Sequence, residues 1–313
     1  SWELFRVNPL PYMEVRRPFI LGTAESRWKL TVAHLFPRLL ADKGLLHHVF
    51  TQNIDGLDYQ SGVPHQQVVA VHGSIGQVSC EYCGTPQDLP TFRTAVKEQI
   101  KDIYGEESGG PAHSTPILCS KCGKPGVKPG TVLYGRDLPQ AFWTAQSQLK
   151  EPTSVDEGSD SGGAAKKTES HFPSPSGTAT VLTGAAAPAD LLIVAGTSLM
   201  VYPAAALPAH MPAGAKRVVV NRDYVTTADL AYGNVSSVSV AVAGGVVSQP
   251  ENTTKPGAGD GASTDDSYLQ GDADAILLSL ITQCGWLPHL WELRSLLCEY
   301  SLALVEAAWA REQ

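Results

Sequence analysis

The chain has 313 residues, enough for about two domains, and its 23 Lys and Arg against 31 Asp and Glu give a net charge of −8. That balance excludes a general nucleic-acid binder, which needs a basic face. The hydrophobic fraction of 43% excludes disorder throughout, and no apolar run approaches the roughly 20 residues that span a bilayer. Ser1 to Phe5 reads as the interior of a domain, with no apolar leader, so a fragment is expected. Residues 1–30 read as helical, with breaks at Pro9, Pro11 and Pro18. Thr31 to Leu46 reads as an amphipathic helix on Val32, Leu35, Phe36, Leu39 and Leu40, with Pro37 as a possible kink and Gly44 near its end. Short strands follow at Val49–Gln52 and Val68–Val71, then a turn-rich module from Cys80 to Cys122 and an extended run from Val127 to Tyr134. Residues 151–189 and 249–267 are low-complexity insertions. Between them lie an apolar strand, Leu191–Ala195, of the kind buried in a parallel sheet, and a second at Arg217–Val220. Helices at Ala275–Cys284 and Pro288–Ala310 close the chain.

Four of the six cysteines form two tight pairs, Cys80/Cys83 and Cys119/Cys122, with 35 residues between Cys83 and Cys119. Each turn places two thiolates on one side of a metal ion, and two such turns complete a closed, tetrahedral and therefore structural zinc site. Binding of this kind contributes on the order of 10 kcal/mol to the folding of a core-poor module. A redox pair or coincidence is the competing explanation, but the spacing favours zinc. Cys284 and Cys298 lie in apolar helical sequence and are expected to be core thiols.

The remaining polar motifs follow strands, where open α/β folds bind ligands. Gln52-Asn53-Ile54-Asp55 suits sugar hydroxyls and an amide ring substituent, or is simply a polar turn. His72 could serve as a general base, although a lone histidine is more often structural. Gly196-Thr197-Ser198 exposes amides to an anion or a ribose, or is an ordinary strand-to-helix turn. Asn221 holds the analogous position on the next strand, as a ribose reader or a capping residue. Gly257-Ala258-Gly259 lacks a preceding strand and reads as linker.

Taken in order, these motifs resemble the sirtuins, NAD-dependent protein lysine deacylases, and most closely their eukaryotic deacetylase class. The matching pieces are Thr51 to Asp55, His72-Gly73, the four cysteines, Val127 to Gly135, Gly196 to Pro203, and Asn221-Arg222-Asp223. The resemblance implies an α/β fold: a Rossmann-like parallel sheet with a smaller zinc-binding and helical domain inserted. Residues 1–30 then belong to the helical module, 31–75 to the first part of the Rossmann-like domain, 76–130 to the zinc module, and 131–150 with 190–313 to the remainder. It implies NAD and structural zinc, the latter on Cys80, Cys83, Cys119 and Cys122. His72 and Asn53 would be catalytic. Gln52, Asn53, Ile54 and Asp55 would hold the nicotinamide end of NAD. Gly196, Thr197 and Ser198 would contact its ribose and phosphate region. Asn221, Arg222, Asp223 and Ala273 would hold the adenosine end. Val132, Leu133, Tyr134 and Gly135 would pair with an acetyl-lysine peptide as an added strand. The implied chemistry transfers the acyl group to ADP-ribose, with His72 as general base, and releases nicotinamide and lysine. Implied partners are acetyl-lysine proteins, histone tails among them, with neither nucleic acid nor membrane. The implied compartment is nuclear or cytoplasmic, with a mitochondrial one and the oligomeric state left open.

The departures are specific. The family's Gly-Ala-Gly-[Ile/Val]-Ser loop and Asp-Phe-Arg motif do not occur, so a chain lacking its first strand and phosphate cradle, with poor NAD affinity, is expected. Tyr134-Gly135-Arg136 stands where the family has Phe-Gly-Glu, and Gly130 stands where Asp or Asn is usual. Tyr12 and Arg16 are one residue too far apart for the Tyr-x-x-Arg pair of desuccinylases, which favours acetyl groups. The alternatives are a mono-ADP-ribosyltransferase of the same family and a non-catalytic zinc-stabilised binding module.

Overall fold

α1 (Trp2–Val7) starts at Ser1, whose hydroxyl accepts the Leu4 amide, and it buries Phe5. Pro9 separates α1 from α2 (Leu10–Ala24), as expected, but α2 runs unbroken through Pro11 and Pro18, which corrects the breaks expected there. Pro9 and Pro11 sit at its start, where a missing N–H has no intrahelical partner in any case. Met13, Ile20 and Leu21 pack with Ile75, Phe92 and Val96, and this burial outweighs the one bond lost at Pro18. α3 (Val32–Asp42) buries Val32, Leu35, Phe36 and Leu39, the residues its periodicity marks except Leu40. The computed structural model describes residues 1–106, 110–149, 187–225, 230, 232–234 and 266–313. Most of the insertions 151–189 and 249–267, and Gly257 to Gly259, lie outside the described residues.

β1 (Val49–Thr51) leads through the single-turn α4 (Leu57–Gln60) to β2 (Val68–Ala70), and the two strands pair in parallel. β3 (Gly73–Cys80) and β4 (Val127–Thr131) form an antiparallel pair around α5 (Leu89–Gln99), which Asp88 caps. α6 (Gln140–Gln148) follows. β5 (Leu191–Ala195), β6 (Lys216–Asn221), β7 (Tyr232–Asn234) and β8 (Asp266–Gln270) form a parallel sheet in the order β5-β6-β8-β7. α7 (Ala273–Gln283), α8 (Leu287–Glu292) and α9 (Glu299–Glu312) complete the chain.

The architecture is mixed α/β with parallel sheet and a four-cysteine module, as expected, but several particulars differ. The parallel strands form two hydrogen-bonded sheets, and among the described residues no strand joins β1 or β2 to β5. They are linked by packing instead: Val69 and Val71 share a hydrophobic cluster with Phe142 and Leu207, and Leu192 of β5 packs against it. β5 is an edge strand, so only Val194 is buried and Leu191 is 49% exposed. β8 begins at Asp266, inside the stretch expected to be insertion, because Asp266 and Tyr268 face inward on it. β3 crosses the expected boundary between residues 75 and 76, and the last helix divides at Leu293 to Cys298. Cys284, expected in the core, is exposed at the end of α7, and Cys298 is half-buried.

Candidate active site and zinc centre

Past the end of the β1–β2 pair, the two chains stay joined. The Val71 amide donates to the Thr51 carbonyl at 2.9 Å, and the Ile75 amide donates to the Ile54 carbonyl at 2.8 Å. Between these bonds His72 Nδ1 lies 3.0 Å from the Gln52 carbonyl. A carbonyl only accepts, so Nδ1 carries the hydrogen and the neutral ring presents Nε2 as a free acceptor. Nε2 has no partner among the described residues. The Asn53 amide meets the Thr51 hydroxyl at 3.2 Å, and Asp55 accepts the Leu57 amide at 2.9 Å, which closes a tight turn. Asn53 is exposed, while Gln52, Ile54 and Asp55 are half-buried. The structure therefore brings Gln52, Asn53, Ile54, Asp55 and His72 into one cluster.

Val132 joins the same cluster, since its amide donates to the His72 carbonyl at 2.8 Å. This contact requires a close crossing of β3 and β4. Gly73 has φ +76°, and a Cβ there would lie 1.9 Å from the Gly130 carbonyl oxygen. The extended run expected to reach Tyr134 ends at Thr131. Leu133 accepts the Arg136 amide in a turn, and Tyr134 accepts the Trp2 amide at 2.9 Å. Beneath this turn sits a group to which the sequence reading gave no role. Lys128 is 3% exposed; its ammonium donates to the carbonyls of Pro129 and Thr131 at 2.9 and 2.6 Å and lies 3.3 Å from Glu81. Burial lowers its pKa from the ordinary lysine value, and the Glu81 carboxylate opposes that shift. A lysine between a buried valine and a proline is the signal that could have found it.

A second cluster lies at the carboxyl edge of the four-stranded sheet. Gly196 follows β5 with φ +65°, and its amide donates to the Val220 carbonyl at 3.0 Å. The Leu199 amide donates to the Thr197 hydroxyl at 3.2 Å. The Asn221 side-chain amide approaches the Thr197 carbonyl at 3.4 Å, and the Asn221 carbonyl accepts the Gly271 amide at 2.9 Å. Asp272 caps α7, pairs with Arg222 at 2.5 Å and sits immediately before Ala273. Burial raises the Asp272 pKa, but hydrogen bonds led by Arg222 outweigh it and leave the carboxyl below its ordinary value. The Tyr268 hydroxyl donates to the Asp223 carbonyl at 2.5 Å and lies 3.2 Å from the Asn221 carbonyl, which fixes the turn after β6. Gly196, Thr197, Ser198, Asn221, Arg222, Asp223 and Ala273 thus share one edge. No hydrogen bond joins this edge to the His72 cluster among the described residues.

The four cysteines converge. Cys80 Sγ lies 3.6 Å from Cys122 Sγ, Cys83 Sγ lies 3.7 Å from Cys119 Sγ, and all four sulfurs lie within 4.8 Å of one another. Tetrahedral zinc with bonds of about 2.3 Å sets its sulfurs about 3.8 Å apart, so the donor set fits. Before a metal binds, burial pushes the Cys80 thiol up to about 12 and the Thr85 hydroxyl draws Cys83 down to about 6. Gly126 closes the packing, because a Cβ there would lie 2.3 Å from the Tyr82 ring and 3.0 Å from Cys80 Sγ.

The Sir2 family model matches residues 1–155. The NAD-dependent protein deacetylase SIR2rp1 of Leishmania major is 31% identical over 225 residues, which cover 72% of this chain and 46% of that protein. The NAD-dependent protein deacetylase hst2-1 of Emericella nidulans is 30% identical over 293 residues, covering 93% of this chain and 56% of that one. The chain spans about half the length of these curated relatives. A solved structure of Sir2Tm bound to a propionylated peptide shares the fold, with a TM-score of 0.57 and 20% identity over 91% of this chain and 83% of that chain.

Proposed function

Because the chain belongs to the Sir2 family, we propose that it carries the catalytic core of an NAD-dependent protein lysine deacetylase, which forms nicotinamide, free lysine and O-acetyl-ADP-ribose. The observation that supports this best is the fixed tautomer of His72, whose Nδ1 is held by the Gln52 carbonyl at 3.0 Å. Nε2 then takes the proton of a ribose hydroxyl and later returns it. Bound NAD supplies the ribose carbon that receives the acyl oxygen. Asn53 and Asp55, on the turn tied to His72, hold the nicotinamide end. Thr197, Ser198 and Asn221 offer hydroxyls and an amide to the remainder. Their shared edge is open, since a Cβ at Gly196 would meet nothing within 4 Å. Zinc takes no part in the chemistry; its cysteines anchor β3, the strand that begins directly after His72.

The proposed substrates are acetyl-lysine proteins, histone tails among them, in the nucleus or cytoplasm. The test incubates the chain with an acetyl-lysine peptide and NAD in large excess, to offset the poor NAD affinity expected of a chain without the family's phosphate loop, and follows both by mass spectrometry. Deacetylated peptide and O-acetyl-ADP-ribose should appear in equal amounts. His72→Asn should lower kcat by roughly 10²- to 10⁴-fold at unchanged zinc content. ADP-ribose attached to protein, with the peptide still acetylated, would establish the transferase instead. Peptide and zinc binding with neither product would leave a binding module.

A further inference from the structure

Two guanidinium groups converge beside the turn that follows β4. The Arg6 guanidinium lies 4.5 Å from the centroid of the Trp2 ring, and that of Arg136 lies 5.3 Å from the same ring. The Trp2 backbone is fixed in turn, because its amide donates to the Tyr134 carbonyl at 2.9 Å. α1 itself is pinned from below: Phe5 packs edge-on against Tyr12 at 5.4 Å, and the Tyr82 hydroxyl donates to the Arg6 carbonyl at 3.2 Å. Arg136 uses only its Nε on Glu81, at 3.0 Å, and its side chain remains 49% exposed. Glu81 is already shared with Lys128, so it does not neutralise both cations. Arg6 is exposed and has no ion-pair partner among the described residues.

Stacking on an aromatic face leaves the guanidinium edges free to form forked hydrogen bonds with a carboxylate. Arg136 directly follows Tyr134, which is 78% exposed, and Gly135, and Arg6 is joined to them through Trp2. These residues belong to the segment assigned above to the peptide. We infer that Arg136 and Arg6, held on Trp2, select protein substrates that carry an acidic side chain within a few residues of the acyl-lysine. The inference rests on the deacetylase reading only for the place of the peptide. Trp2 acts as a positioning residue, and the arginines make the contact.

The experiment uses three acetyl-lysine peptides that differ only in carrying Glu, Gln or Lys at the flanking positions. Binding is read by fluorescence anisotropy and turnover by mass spectrometry. Kd should rise in the order Glu, Gln, Lys, by roughly threefold per arginine contact in an exposed setting, and the spread should shrink at high salt. Arg136→Gln and Arg6→Gln should each narrow it. Arg6→Gln touches no buried partner and guards against a folding defect in the first variant. Trp2→Leu should narrow it as well, although no charge is removed. A flat Kd series, or a preference that survives both arginine substitutions, would overturn the inference. Turnover absent even at NAD in large excess, while the charge order in Kd persists, would strike at the deacetylase reading and leave the selectivity standing.

Discussion

Replacing Lys128 with Met tests whether one buried ammonium shapes the segment on which His72 and the turn after β4 both depend. The ammonium holds two carbonyls, at 2.9 and 2.6 Å, and stands 3.3 Å from Glu81. Methionine fills most of the volume but makes none of these bonds. Each deserted carbonyl costs about 1 kcal/mol. Glu81, only 12% exposed, loses one of two cations for about 1 kcal/mol more, since Arg136 remains. The sum is about 3 kcal/mol, or roughly a 150-fold shift toward the unfolded chain. Urea unfolding followed by tryptophan fluorescence measures it directly. Adding Glu81→Gln removes the stranded carboxylate and should recover about 1 kcal/mol. A loss below about 1 kcal/mol for Lys128→Met, or no recovery in the double variant, would refute the reasoning.

Other perturbations separate the remaining parts. Stripping the metal with a chelator, or Cys119→Ser, should unfold the module between β3 and β4 and abolish binding of one zinc per chain, checked by metal analysis and hydrogen exchange. Gly73→Ala places a Cβ 1.9 Å from a backbone oxygen and should destabilise by about 3 kcal/mol or more. Gly135→Ala has a similar φ of +88° with nothing within 4 Å and should lose only about 1 kcal/mol; equal melting temperatures for the two variants would count against the crossing. His48 is held down at about 4 by burial and by its neighbour His47, whose Nδ1 lies 2.6 Å from its own. A base with a depressed folded pKa binds fewer protons folded than unfolded, so stability should fall as pH drops from 6.5 toward 4. His48→Gln should flatten that slope in urea titrations at stepped pH.

What could be read in the residues alone depended on how local the signal was. The two Cys-x-x-Cys turns, the turn after β1 and the small-residue turn after β5 are each written in a few adjacent letters; the cysteines converge, and each of the other turns directly follows its strand. β3 was invisible because Gly73 to Cys80 carries two glycines and no clean alternation; its pairing with β4 is decided by the distant Gly130. α5 was missed although Asp88, with Pro90 after it, is a recognisable helix start. β8 hid in a polar stretch, since only Asp266 and Tyr268 turn inward and Asp266 is held by Arg217 across the sheet. Lys128 looked like part of a motif rather than a buried charge, because its partners are backbone carbonyls that no letter announces.

The bond between His72 and the Gln52 carbonyl occupies a place where a parallel ladder would have a backbone rung, between Val71–Thr51 and Ile75–Ile54. The imidazole is thus part of the sheet's own stitching. Swinging the ring away breaks that one bond and leaves the two flanking backbone bonds to hold the turn that carries Asn53 and Asp55. A ligand that displaces His72 therefore gives up one hydrogen bond, about 1 kcal/mol, whereas one that leaves the ring in place and fills the space at Nε2 gives up none.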